Sequence, residues 1–169
     1  MLFFLATPES SIIETKTSKI RVHLSSGVAE IFENHQDLMG KIDNDFIEFE
    51  TNFDNKSEIG RYLLHLGVFV VSTKNSIMKE PQSTETAVYV YAKRVFEISS
   101  KNKSSLDSIS KEYESKRILL EEEEQKEAEK VEQKPGSTPA IINTYSNLFL
   151  LKEEVNFLKK IIVVMKEVK

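Results

Sequence analysis

Alternation of apolar and polar positions governs the first hundred residues. The run Leu2–Ala6 is apolar and stops at Thr7-Pro8, where proline removes a ladder donor and favours a turn. Ile12-Ile13-Glu14 follows, and Lys19–Leu24 sets Ile20, Val22 and Leu24 at period two. Phe46-Ile47-Glu48-Phe49-Glu50 alternates again, and residues 52–57, with Asp54-Asn55, predict a turn. The most apolar stretch, YLLHLGVFVVS at 62–72, predicts a central pair of strands broken at Gly67. Residues 87–96, AVYVYAKRVF, interleave β-branched and aromatic side chains, as strands favour. The polar segment 73–86, with Pro81, predicts a loop or hairpin tip between these runs. Residues 25–42, which contain Gly27 and Asn34-His35, predict a long connection. Short strands roughly ten residues apart, separated by turn signals, predict a β-sandwich head over 1–98.

The pattern changes abruptly after that. SSKNKSS at 99–105 is polar, and 99–104 reads as a hinge. From 105 to 133 there is no proline or glycine, and Leu106, Ile109, Tyr113 and Leu120 form one apolar stripe behind a capping Ser104 or Ser105. The stripe fades into EEEEQKEAEKVEQK at 121–134, a solvated helix in which Glu122 and Lys126 have the spacing of a favourable i,i+4 pair. Pro135-Gly136-Ser137-Thr138-Pro139 predicts a break between helices at 135–139. Leu148, Leu151, Val155, Leu158, Ile162 and Met165 then recur at steps of 3, 4, 3, 4 and 3, a heptad seam. It is too short for a free-standing coiled coil, so a hairpin partner or another protein must cover it. The fold class is therefore α+β: an N-terminal all-β sandwich followed by a C-terminal antiparallel helical hairpin over 105–169.

Composition narrows the chemistry. With 169 residues and a formal net charge of −4, the chain has no overall excess of the positive charge that phosphate binding requires; a local basic patch stays open, but nucleic acid is not the expected partner. No cysteine is present, which removes disulfides, thiolate metal sites and cysteine nucleophiles. Five glycines at 27, 40, 60, 67 and 136 assemble no phosphate-cradling loop. His23, His35 and His65 are not at metal-ligand spacings. His23 reads as a surface or half-buried strand residue, His35 as a turn residue and His65 as a satisfied core residue. Nothing resembles a nucleophile elbow, and the abundant carboxylates sit in solvated helical runs. No run approaches the roughly 20 apolar residues of a membrane span, and the apolar start, without a basic lead, reads as a first strand. No catalytic residue, metal or cofactor is expected. The apolar seam and the sandwich faces point to a binding module.

Three motifs in order carry a family resemblance. Leu5-Ala6-Thr7-Pro8-Glu9-Ser10-Ser11-Ile12-Ile13-Glu14 resembles the "LTPEG-apolar-apolar-E" start of the epsilon subunit of F-type ATP synthases. Residues 25–42 are similar to that family's "GEFGVLPGHAPLL" segment: Gly27 meets the first glycine, Ile31-Phe32 the apolar pair, His35 the histidine and Leu38-Met39 the next apolar pair. Residues 62–69 resemble "YIAVSGGF" at Gly67 and Phe69. Glu30, Glu33 and Val68 stand where the family has glycine, proline and glycine. Leu106-Asp107-Ser108-Ile109-Ser110-Lys111 keeps the Leu-Asp of a nucleotide-binding motif found in some members, with Ser110 at its arginine.

The resemblance implies a non-catalytic central-stalk subunit of a rotary F-type or F-type-like ATPase. Such a subunit binds a gamma-like rotor subunit, assembles with catalytic alpha-like and beta-like subunits, and can regulate ATP hydrolysis through its hairpin. It implies a cytoplasmic protein, peripheral at the membrane through its complex. Ile31, Phe32, His35 and Leu38 on the sandwich, with Leu148, Leu151, Val155, Leu158, Ile162 and Met165 on the second helix, are the expected partner-binding residues. The alternative is a β-sandwich and coiled-coil adaptor in an unrelated assembly.

Overall fold

The computed structural model describes residues 1–53, 56–75, 84–133 and 139–168. The chain divides into two compact units, Met1–Ser99 and Ser100–Lys169. The first contains strands β1 (Leu2–Ala6), β2 (Ser11–Lys16), β3 (Lys19–Leu24), β4 (Gly27–Ile31), β5 (Leu38–Ile42), β6 (Asp45–Phe53), β7 (Lys56–Asn75) and β8 (Thr84–Glu97). Two findings depart from the sequence reading. Residues 25–42 are not one connection, because they hold β4 and β5, two five-residue strands joined by 32–37. The apolar run 62–72 is not a broken pair, because β7 passes through Gly67 as one 20-residue strand. The turn centre at 54–55 and the loop positions 76–83 lie outside the described residues, while residues 73–75 and 84–86 extend β7 and β8.

Register shows how one strand serves two layers. The N-terminal half of β7 pairs with β6, from Phe53↔Lys56 to Asp45↔Leu64. Its C-terminal half pairs on the same edge with β5, from Ile42↔Gly67 to Leu38↔Val71. Its other edge is held by β8 from Tyr62 to Asn75. One layer is thus β5-β7-β8-β1-β2 and the other β4-β3-β6-β7-β8. Strands in a flat sheet lie about 4.8 Å apart, which would set β1 and β6 roughly 14 Å apart across β8 and β7. The Phe3 and Phe49 rings on those strands are instead 4.9 Å apart. The layers therefore fold onto each other, and one core unites Phe3, Leu5, Ile20, Val22, Ile47 and Phe69.

The corner where β7 changes partner is built from specific residues. Asn44 (φ 46°) and Leu66 (φ 50°) both occupy the left-handed region that L side chains seldom adopt. Between them, buried His65 places Nδ1 2.7 Å from Asn44 Oδ1, which ties the β5–β6 turn to the bend. A polar ring inside a core needs such a partner. The second crossing, from β2 to β3, is held by Thr17, whose hydroxyl donates to Glu50 O at 2.6 Å.

The hairpin unit opens with a 3-10 turn at Ser100–Ser105, the segment expected as a hinge, and continues as α1 (Leu106–Gln133) and α2 (Pro139–Glu167). Lys116 meets Glu154 at 3.3 Å. These two residues lie at similar distances from the interhelix connection, so the helices run antiparallel. The expected break at 135–139 lies outside the described residues except for Pro139, which opens α2 as a first-turn proline can. Ile109 is buried, with Leu106, Tyr113 and Leu120 half-buried on the same stripe. Lys126 pairs with Glu123 at 2.7 Å, and Glu122 adds a weaker favourable electrostatic interaction with the same ammonium.

Two outcomes test this fold. A Cβ at Gly40 would meet the ring of Phe69, itself buried, whereas a Cβ at Gly67 makes ordinary contacts. Gly40→Ala should cost about 1–3 kcal/mol in chemical denaturation and Gly67→Ala less than about 1 kcal/mol. The far half of α1 carries little apolar surface, and polar helices depend on their neighbours. Amide exchange at 121–133 should therefore be faster than at 60–72.

Candidate functional site

The two layers present different outer faces. On β4-β3-β6-β7 the outward residues include a charged ladder, beside which Val28 and Ile59 are also exposed. Arg21 Nε donates to Glu30 Oε1 at 2.6 Å, Lys19 reaches the same carboxylate at 2.9 Å, and Arg61 meets Glu48 at 3.0 Å. Glu48 also lies 3.7 Å from His23, and the Arg61 guanidinium sits 4.1 Å over the Phe46 ring. These charges are partnered on the surface, where each pair contributes about 0–1 kcal/mol.

On β5-β7-β8-β1 the outward residues are mainly apolar, with Lys41 paired to Asp43 at 2.7 Å. Cross-strand register sets Met39, Val70, Tyr89 and Phe4 in one row, and Lys41, Val68, Tyr91 and Ala6 in the next. Met39 is 77% exposed, Tyr91 56% and Val68 49%. Phe4 and Tyr89 stack with ring centroids 5.0 Å apart within this row. Contiguous exposed apolar surface across four strands marks an interaction face. The sequence reading did not single it out, although a signal was present. A strand with one wet face alternates, but Val68-Phe69-Val70-Val71 is apolar on both faces, which is the signature of a strand covered on both sides.

The loop 32–37 beside this face is strapped down. Asn34, at φ 63°, donates its N–H to Thr86 Oγ1 at 2.8 Å, and Thr86 N–H donates to Glu33 Oε1 at 2.9 Å. Thr73 donates its hydroxyl to His35 O at 2.7 Å and its N–H to Asp37 Oδ1 at 2.8 Å. Glu33 also pairs with the Met1 amine. Burial pushes the Glu33 carboxyl up, but hydrogen bonds from the Met1 amine and Thr86 hold it below the usual carboxylate range. Glu30 is held low by hydrogen bonds from Lys19 and Arg21. The two glutamates that depart from the resembled motif thus have internal partners. Both stay ionised, which suits ion pairing and not proton donation.

The expected partner-binding residues separate into groups. Ile31 is buried in the core. Phe32 and Leu38 are exposed at the two ends of the strapped loop, and Lys19 lies 5.4 Å over the Phe32 ring. His35 is half-buried, with Nδ1 2.8 Å from Gln36 O. On α2, Val155, Leu158 and Met165 are buried, while Leu148, Leu151 and Ile162 are half-buried. Phe157 and Ile161 are buried too. The seam missed them because an a/d repeat samples a narrow line, whereas a helix packed in a globular fold buries a stripe of 100° or more. Among the described residues, no three His, Asp or Glu side chains gather where a metal could be held, and no helix is long and apolar enough to cross a membrane.

Because the folded Glu33 carboxyl lies below its unfolded value of about 4.3, its contribution is present above that pH and is lost as pH falls through the folded value. Glu33 is 43% exposed, so water screens the interaction. Glu33→Gln should lower stability at neutral pH by at most about 1 kcal/mol, and the difference from wild type should close below about pH 4 in denaturant titrations.

No family model matches the chain, and no curated protein matches it. Solved structures do. A chain in the structure of the Euglena gracilis mitochondrial ATP synthase, OSCP/F1/c-ring in rotational state 1, matches with a TM-score of 0.52 at 12% identity, covering 94% of this chain and 78% of that one. A chain in the Tetrahymena thermophila mitochondrial ATP synthase central stalk/c-ring structure matches with a TM-score of 0.42 at 13% identity, covering 56% of this chain and 64% of that one. The sandwich and helix pair are thus a fold shared, nearly end to end, with a chain of a mitochondrial ATP synthase.

Proposed function

We propose that this chain is a non-catalytic, epsilon-like subunit in the central stalk of a rotary F-type or F-type-like ATPase. The observation that carries the reading is the contrast between the two outer faces of the sandwich: one has its charges paired, the other offers Met39, Val68, Val70 and Tyr91 to a partner. The fold shared with an ATP synthase chain and the three ordered sequence motifs support it. In this reading the apolar face docks a gamma-like rotor subunit, and Phe32 and Leu38 extend the contact along the loop 32–37. The catalytic alpha-like and beta-like subunits join through the same stalk, at the membrane-peripheral part of the complex. The hairpin is the element that regulates ATP hydrolysis.

Affinity purification of the tagged chain under native conditions, followed by mass spectrometry, tests this. Gamma-like, alpha-like and beta-like subunits should co-purify. Their absence, with an unrelated assembly in their place, would favour the adaptor alternative. Val70→Asp puts a charge in the middle of the face at a position already open to water. It should leave the fold intact, at a cost of about 1 kcal/mol or less, while retention of the gamma-like subunit falls by about tenfold or more.

A further inference from the structure

We infer that Met39 is an oxidation site whose sulfoxide blocks docking, so that hydroperoxide in the surroundings controls whether the free subunit can assemble. The inference rests on the docking reading above. The chain has no cysteine, so thioethers are its most readily oxidised sulfur groups. It has four methionines, of which Met78 lies outside the described residues. Met165 is 1% exposed and Met1 is half-buried, whereas Met39 is 77% exposed. Met39 is outward on β5, directly across from Val70 and in the same row as Tyr89 and Phe4.

The chemistry balances with a hydroperoxide as oxidant. A sulfur lone pair attacks one peroxide oxygen, the O–O bond breaks as the S–O bond forms, and hydrogen peroxide leaves as water. Sulfur loses two electrons and the peroxide gains them. The product replaces a soft apolar group by a strong dipole that needs hydrogen bonds. In the free chain water supplies them, so folding is unaffected. Under a partner, Val70, directly across, offers the sulfoxide oxygen no donor, the Lys41 ammonium is held 2.7 Å from Asp43, and the Tyr89 hydroxyl belongs to a strand beyond β7, so burying the new dipole on this face is unfavourable. Once the partner is seated the sulfur is covered. Oxidation therefore acts on the free subunit before assembly.

The test treats the free full-length chain with hydrogen peroxide, maps the added oxygen by peptide mass spectrometry, and then measures retention of co-purifying subunits. Met39 should oxidise well before Met165. Oxidised wild type should keep its circular dichroism and thermal midpoint yet lose about tenfold or more in retention. Oxidised Met39→Leu should bind as the untreated chain does, and methionine sulfoxide reductases with a thiol reductant should restore the wild type. Within the assembled complex, Met39 should resist the same treatment. The inference is overturned if Met39 and Met165 oxidise together, if oxidised Met39→Leu is as defective as oxidised wild type, or if the sulfoxide binds normally while Val70→Asp does not. If Val70→Asp itself binds normally, the docking reading fails instead.

Discussion

The sandwich depends on one strand being shared between two layers. β7 pairs with β6 from Lys56 to Leu64 and with β5 from Gly67 to Val71, and the change of partner falls at His65–Leu66. A continuous strand can turn that corner only if some residues leave the β region. Leu66 does so within β7, and Asn44 does so in the β5–β6 turn that its hydrogen bond ties to the corner, at a cost on the order of 1–3 kcal/mol each. The buried His65–Asn44 hydrogen bond and the packed core around it offset that cost. The Phe3–Phe49 contact across the layers, the Thr17 crossing and the strapped loop 32–37 all follow from closing the layers at this corner.

Closure also decides which surfaces remain for a partner. Each layer spends one face on the common core, so each has one face left. The layer of β3, β4 and β6 satisfies most of its outer face internally, with alternating acids and bases in cross-strand register, and leaves Val28 and Ile59 exposed. The layer of β1, β5 and the C-terminal half of β7 does not, and leaves thioether, valine and tyrosine side chains in water. That asymmetry is the physical basis for proposing a docking role for the apolar layer.

Much of this was legible in the sequence. β3 and β6 announce themselves by period two, β1 by its apolar run, β8 by its interleaved β-branched and aromatic residues, and the helices by their composition. β4 and β5 were hidden because each has five residues, LMGKI contains a glycine, and both are strands through the neighbours they pair with. Gly67 looked like a break, yet the bend sits at Leu66, where a glycine would have been the natural choice. Of the candidate site, Phe32 and Leu38 were accessible to sequence reading, while Ile31 proved to be core. The rows Met39-Val70-Tyr89-Phe4 and Val68-Tyr91 could not be read as a face, because they exist only once four strands are in register.

Site-specific photocrosslinking addresses the docking face most directly. A photoreactive phenylalanine analogue at Val68, on the apolar face, and another at Arg21, on the charged face, would be compared in the native assembly. Docking through the apolar layer predicts that the Val68 probe captures a gamma-like rotor subunit and the Arg21 probe does not. Capture from Arg21 alone, or capture of no ATPase subunit from Val68, would contradict it.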